Sequence, residues 1–195
     1  MKRDLVCLLA GLITALGVGV AHGKECKGAS FPEQVQSEGG SLKLNGLGLR
    51  QATMLRVNVY VAALYVAQTS ADSDAILKSN APKQLILHFV RDVGRADLGK
   101  GWDEGFESNA KSQLPALKER IEAFKGLMAD MKTGQRLRFV YKSGAGVSVD
   151  VNGTIKGTVA GDDFARALFS IWLGSSPPNP GLKAVSMLPA ASRKN

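Results

Sequence analysis

The sequence predicts an α+β domain with a largely antiparallel sheet, and three observations predict it. Extended segments come first, helical ones follow, and further extended segments precede a last helix, an order that segregates strands from helices. Two Asn-Gly pairs, Asn45-Gly46 and Asn152-Gly153, stand between extended runs, where such pairs mark two-residue hairpins and so antiparallel neighbours. Apolar residues at helical spacing lie on both sides of Pro115, a breaker that divides this region into two helices.

The elements follow in order along the 195 residues. Lys2-Arg3, an apolar run from Leu5 to about Val20, and then Ala21-His22-Gly23 have the order of a secretory signal peptide. The expectation is a signal over 1–23, cut after Ala21 or Gly23, ahead of a domain over 24–195. The run is short for a membrane span and is interrupted by Gly11, Gly17 and Gly19, so no span is expected after cleavage. A periplasmic or secreted protein is expected.

Phe31-Pro32-Glu33-Gln34-Val35 reads as an edge strand, because its proline cannot donate to a ladder. Glu38-Gly39-Gly40 turns the chain into Ser41-Leu42-Lys43-Leu44, and Asn45-Gly46 is read as a hairpin before an extended run from Met54 to Val66. The β-branched and aromatic content of Val57–Val66 suits a central strand. Asp72 or Ser73 caps a short helix that ends before Pro82, and Gln84 to Asp92 is a strand. Leu98, Trp102, Phe106 and Asn109 share one face of a helix from Arg95 to about Gln113. Beyond Pro115, Leu117, Ile121, Phe124 and Met128 form a second stripe, closed at Thr133-Gly134. Strands follow at 136–142, 146–151 and 154–159, and Asp162-Asp163 caps a helix from Phe164 to Leu173.

Composition excludes several chemistries. Signal cleavage removes Cys7 and, where the cut follows Gly23, His22 as well, leaving Cys26 and His88, too few for a His/Cys zinc site or a histidine-based triad. No cofactor and no metal are expected. The formal charge of +8 is dispersed, without the basic stripe and interleaved aromatics of a nucleic-acid binder. Asp103, Glu104 and Glu107 read as a solvated helix face. Two features stand out. Arg50 sits at the mouth of the central strand, where it faces either solvent or an internal cavity, and a guanidinium fork there suits a carboxylate or phenolate. Tyr60 and Tyr65 lie on opposite faces of that strand because their separation is odd, so only one can share a cavity with Arg50.

Four stretches together resemble the chalcone isomerase-like family, in particular its exported bacterial members. They are Leu44 to Arg50, Val59 to Tyr65, Gly101 to Asn109 and Phe164 to Gly174. The resemblance covers nearly the whole mature chain and implies an open-faced β-sandwich, a large antiparallel sheet backed by helices with a ligand cleft between them. It also implies roles. Arg50 resembles the arginine that steers the phenolate in the family's enzymes, and it is the one catalytic candidate if the protein is an isomerase. Asn109 matches a retained amide, and Trp102 stands where those enzymes carry a tyrosine. Two enzyme threonines fall near Leu55 and Ile171, so their hydroxyls are replaced. In fatty-acid-binding relatives an arginine and a strand tyrosine hold the carboxylate, and Arg50 and Tyr60 match them. The expected reading is a non-catalytic protein binding a small amphiphilic anion such as a fatty acid, with Arg50, Tyr60, Trp102, Phe106, Asn109 and Ile171 around the ligand. The alternative is an intramolecular lyase acting on a chalcone-like phenol.

Overall fold

The computed structural model describes residues 23–186, apart from 39 and 54, so the expected signal peptide falls outside the described residues except for Gly23. Seven strands form one antiparallel sheet in simple sequence order: β3 (Gln34–Ser37), β4 (Gly40–Ala52), β5 (Val57–Val66), β6 (Lys83–Phe89), β7 (Arg136–Lys142), β8 (Gly146–Val151) and β9 (Thr154–Val159). A separate hairpin, β1 (Gly23–Cys26) and β2 (Ala29–Pro32), lies outside that ladder. The helices are α1 (Ser73–Lys78), α2 (Arg95–Ala110), α3 (Leu114–Gly126) and α4 (Asp162–Leu173). This is the α+β, open-faced sandwich that the sequence predicts.

Period-two alternation sorts the two faces of the sheet. On β5, Tyr60, Ala62, Leu64 and Val66 join the main core with Leu85, Leu87 and Phe89 of β6 and Leu137 and Phe139 of β7. The helices cover this face. Trp102 of α2 stands edge-on to Phe124, Phe139 and Trp172 at centroid distances of 5.6, 5.8 and 5.8 Å, the arrangement that ring quadrupoles favour. The opposite face has a smaller core of Leu42, Leu44, Val61, Ala63, Tyr65 and Ile86, covered by Phe31 and Ala29 of the hairpin. Tyr65 donates its hydroxyl to the Pro32 carbonyl at 3.0 Å and so ties the hairpin down.

Four expectations about elements need correction. Asn45-Gly46 is not a hairpin: β4 runs straight through it, and the ladder shifts register between Leu44 and Gly46, so Asn45 is the extra residue of a bulge. The reason is distant in sequence. The buried Asn45 accepts from Ser70 N at 2.8 Å and donates to Val185 O at 3.1 Å, fastening two loops to the sheet. The β4–β5 turn lies instead at Thr53–Arg56, with both residues at positive φ. The stretch 31–35 is divided between β2 and β3, not one edge strand. Helix α3 ends at Gly126, well before Thr133-Gly134, although Met128 stays buried. Asp162 and Asp163 occupy the first turn of α4 and Gly161 is the cap; Asp163 is bound by Arg120 at 2.6 and 2.7 Å. The Asn152-Gly153 turn, the Asp72 cap and the restart near Pro115 stand where the sequence predicts them.

Candidate functional site

The site begins with a strand pair. Arg50 lies directly opposite Tyr60 in the β4–β5 register, so both side chains project from the helix-covered face. The ladder shifts again between Arg50 and Gln51. Arg50 Nη1 donates to the backbone carbonyls of Gln51 and Pro178, the latter at 3.3 Å. Among the described residues, these two carbonyls leave most of a five-donor guanidinium uncommitted.

Tyr60 is 6% exposed and rests edge-on against Phe89. Its hydroxyl accepts from Trp172 Nε1 at 3.2 Å. Burial pushes the phenol up to about 12, against the opposing influences of the Trp172 hydrogen bond and the Arg50 charge. Tyr60 is therefore a neutral phenol at physiological pH. Because an indole N–H only donates, Trp172 occupies an acceptor position on the oxygen and leaves the phenolic proton to point elsewhere.

Arg50 and Tyr60 open onto a cavity of about 640 Å³ between the sheet and α2, within the size range of small-molecule sites. Val59, Val93, Leu98, Trp102 and Ile171 supply apolar surface, and Gly101 and Gly105 expose helix backbone. Thr53, Arg91, Asp92, Asp97, Glu104 and Ser108 add polar groups, and Ser176, Pro177 and Pro178 close one side. Asp92 is already committed: Thr133 donates to it through N and Oγ1 and Lys132 approaches at 2.9 Å. These bonds, the Thr133 backbone N–H first, hold its carboxyl down to about 2.

Of the residues singled out from sequence, Arg50, Tyr60, Trp102 and Ile171 meet around one cavity. Phe106 and Asn109 do not line it. Phe106 turns into the helix core, with its ring centroid 6.3 Å from Phe124 and 6.1 Å from Phe164. Asn109 works one step behind the wall. Its Nδ2 donates to Gly105 O and Ser176 O at 3.1 and 2.9 Å, and its Oδ1 accepts from Ser176 N at 3.0 Å. Asn179 does the same from the other side, donating to Leu49 O at 2.9 Å and accepting from Gln51 N at 3.0 Å. Two amides thus lace the proline segment to α2 and to β4, and place the Pro178 carbonyl at Arg50.

Leu55 also departs from expectation. It is 86% exposed in the turn, outside the cleft, while Thr53 brings a hydroxyl to the cavity. Leu55 therefore replaces no hydroxyl within the cleft. Trp102 Nε1 is buried without a hydrogen-bond partner among the described residues, amid aromatic rings whose faces can take a weak N–H contact. His88 lies on the other face, next to Arg136 and Phe31, and takes no part.

Sequence reasoning missed Val59, Leu98, Gly101 and the 176–178 segment as cavity residues. Only the glycines of α2 carry a local signal, because glycine is unfavourable inside a helix.

With this geometry in hand, comparison with known proteins adds two findings. The family model described as chalcone isomerase-like matches residues 23–188. A fatty-acid binding protein of Arabidopsis thaliana, known from a crystal structure, superposes with a TM-score of 0.64 at 17% identity, covering 82% of this chain and 91% of that one. At that identity the likeness is one of fold. No curated protein matches the chain.

Proposed function

Because the chain belongs to the chalcone isomerase-like family, we propose that it binds a small amphiphilic anion, of which a fatty acid is the leading example. One observation carries the reading: an arginine and a neutral buried phenol, cross-strand partners, both face a cavity with an apolar wall of Val59, Val93, Leu98, Trp102 and Ile171. Arg50 provides charge-assisted hydrogen bonds to the head group, and Tyr60, its oxygen already accepting from Trp172, provides an O–H. Trp102, Ile171, Val59 and Leu98 pack the apolar body, each fully buried methylene contributing about 0.8 kcal/mol. Phe106 and Asn109 support the wall and do not touch the ligand. The fold neighbour's fatty-acid binding is consistent with this reading.

Export belongs to the same proposal. It rests on the basic, apolar and small-residue order of 1–23. Cleavage after Ala21 would keep Gly23 opposite Pro32 in the β1–β2 ladder.

Native mass spectrometry and lipid extraction of the purified protein test the binding reading. A co-purifying or added fatty acid is expected, with affinity lost in Arg50→Ala. A protein that stays empty, or an Arg50→Ala variant that binds unchanged, overturns it. Thr53, at the cavity, favours one alternative, an intramolecular lyase guided by Arg50 through charge stabilisation. Incubation with a chalcone and chiral analysis of the flavanone decides this: a rate equal to buffer with no enantiomeric excess removes it.

A further inference from the structure

We infer that Gly101 forms a portal in the cavity wall, through which the distal end of the ligand passes between Asp97 and Glu104. This rests on the binding reading above. Helix α2 contains Gly99, Gly101 and Gly105, although glycine weakens a helix interior. Gly105 has a packing reason: a Cβ there would stand 2.8 Å from Ile171 Cγ2, so α2 and α4 approach too closely for any side chain. Gly101 has no such reason. Among the described residues, a Cβ at this position meets no atom within 4 Å beyond its chain neighbours and the backbone of its own helix, yet the residue lines the cavity. What adjoins it is space, and any larger side chain would project into that space.

The flanks of the gap are charged. Asp97 and Glu104 lie four residues before and three after Gly101, neighbouring positions on one helix face, and both line the same cavity while reaching solvent. Arg50 stands on the sheet side. The cavity therefore has Arg50 at its strand wall and, at its helix opening, Glu104 and Asp97, the latter ion-paired with Lys100 at 3.6 Å; Arg91 and the already committed Asp92 line it as well. An anionic head belongs at Arg50, and a second anion leaving past Gly101 would meet the Glu104 carboxylate. The ligand class this selects is a monoanionic amphiphile with an uncharged tail, not a dicarboxylate.

The test titrates palmitate and hexadecanedioate into the wild-type protein, Arg50→Ala, Gly101→Leu and a matched control, Gly99→Leu. Gly99 does not line the cavity. Gly101→Leu is expected to melt no lower than wild type, since leucine is the better helix former. It should weaken palmitate by at least about tenfold, about 1.4 kcal/mol, whereas Gly99→Leu binds as wild type. Wild type should prefer palmitate to hexadecanedioate, and Asp97→Asn with Glu104→Gln should narrow the gap. If Gly101→Leu does not fold, Gly101→Ala replaces it, with a smaller loss expected. Palmitate binding that needs Arg50 but is indifferent to Gly101 overturns the portal and leaves the binding reading intact. Equal affinity for the two acids overturns the acidic opening. Failure of the wild-type protein to bind palmitate overturns both readings.

Discussion

Two tyrosines five residues apart on β5 show how one strand serves two purposes. Tyr60 and Tyr65 project from opposite faces, and burial pushes both phenols up to about 12. Their hydrogen bonds run in opposite directions. Tyr65 donates to Pro32 O, so its proton is spent on holding the β1–β2 hairpin against the sheet. Tyr60 accepts from Trp172, so its proton is unspent and stands beside Arg50 at a cavity. A similar raised pKa thus accompanies a structural phenol on one face and a candidate ligand donor on the other. Burial alone does not separate the two tyrosines; the direction of the hydrogen bond does.

The sharpest way to break this contrast is to damage each face separately. Phe31→Ala, which empties a fully buried site beneath the hairpin, is expected to cost about 3–5 kcal/mol of stability. Denaturant unfolding would measure that loss, while fatty-acid affinity per folded molecule should hold. Arg50→Ala should do the converse, weakening ligand binding by about 1.5–3 kcal/mol, the worth of hydrogen bonds to a charged group, with little change in melting temperature. If Phe31→Ala abolishes binding in folded protein, the two faces are coupled and the division fails.

Much of this division is written locally. The parity of Tyr60 and Tyr65 follows from strand geometry, and the stripe on α3 and the turn at Asn152-Gly153 follow from spacing and turn chemistry. What the sequence hides depends on partners far along the chain. Asn45-Gly46 carries the local signature of a hairpin, but Asn45 is committed to Val185, 140 residues away, and a bulge results. Phe106 and Asn109 share a helical stripe with Trp102, yet α2 is clasped by α3 and α4 on one side and the 176–179 segment on another. The stripe is consequently divided among a core, a cavity wall and a strut. The family resemblance implies a cleft position near Leu55; the turn at Thr53–Arg56 carries it into solvent. The hairpin β1–β2 went unread because its four-residue strands are too short to show a pattern.

A finer comparison removes one oxygen at a time. Tyr65→Phe should lower stability by about 0.5–1.5 kcal/mol through the lost bond to Pro32, roughly 2–4 °C in melting temperature per kcal/mol, and should leave binding untouched. Tyr60→Phe should reverse that signature, with a several-fold loss of fatty-acid affinity. Its stability cost should be smaller wherever Trp172 finds another acceptor. Matched thermal and calorimetric titrations of the two variants check this. Equal binding losses would show that Tyr60 has no special access to the ligand.

The smallest effect concerns protons, and a buried lysine makes it visible. Lys83 Nζ donates to Ile76 O at 2.8 Å and Ser79 O at 2.7 Å, closing the end of α1, and sits 4.8 Å from the centre of the Tyr141 ring. Burial, helped by the Arg166 charge and opposed by Asp162, pushes its pKa down to about 8. A folded pKa below the unfolded value means that the unfolded chain binds more protons between the two, so stability rises with pH from about 8 upward. The tyrosines act with the opposite sign. Their folded values of about 12 exceed the ordinary tyrosine value of 10.0, so their contribution is complete below pH 10 and is lost from there toward 12. Stability should therefore rise between pH 8 and 10 and fall beyond it. Lys83→Met should flatten the rise and spare the fall. Tyr60→Phe and Tyr65→Phe should each soften the fall, and by similar amounts, because burial is the largest cause of both shifts and both phenols end at about 12. A melting-temperature profile in which only one of them softens it would show that the two environments differ in more than the direction of a hydrogen bond.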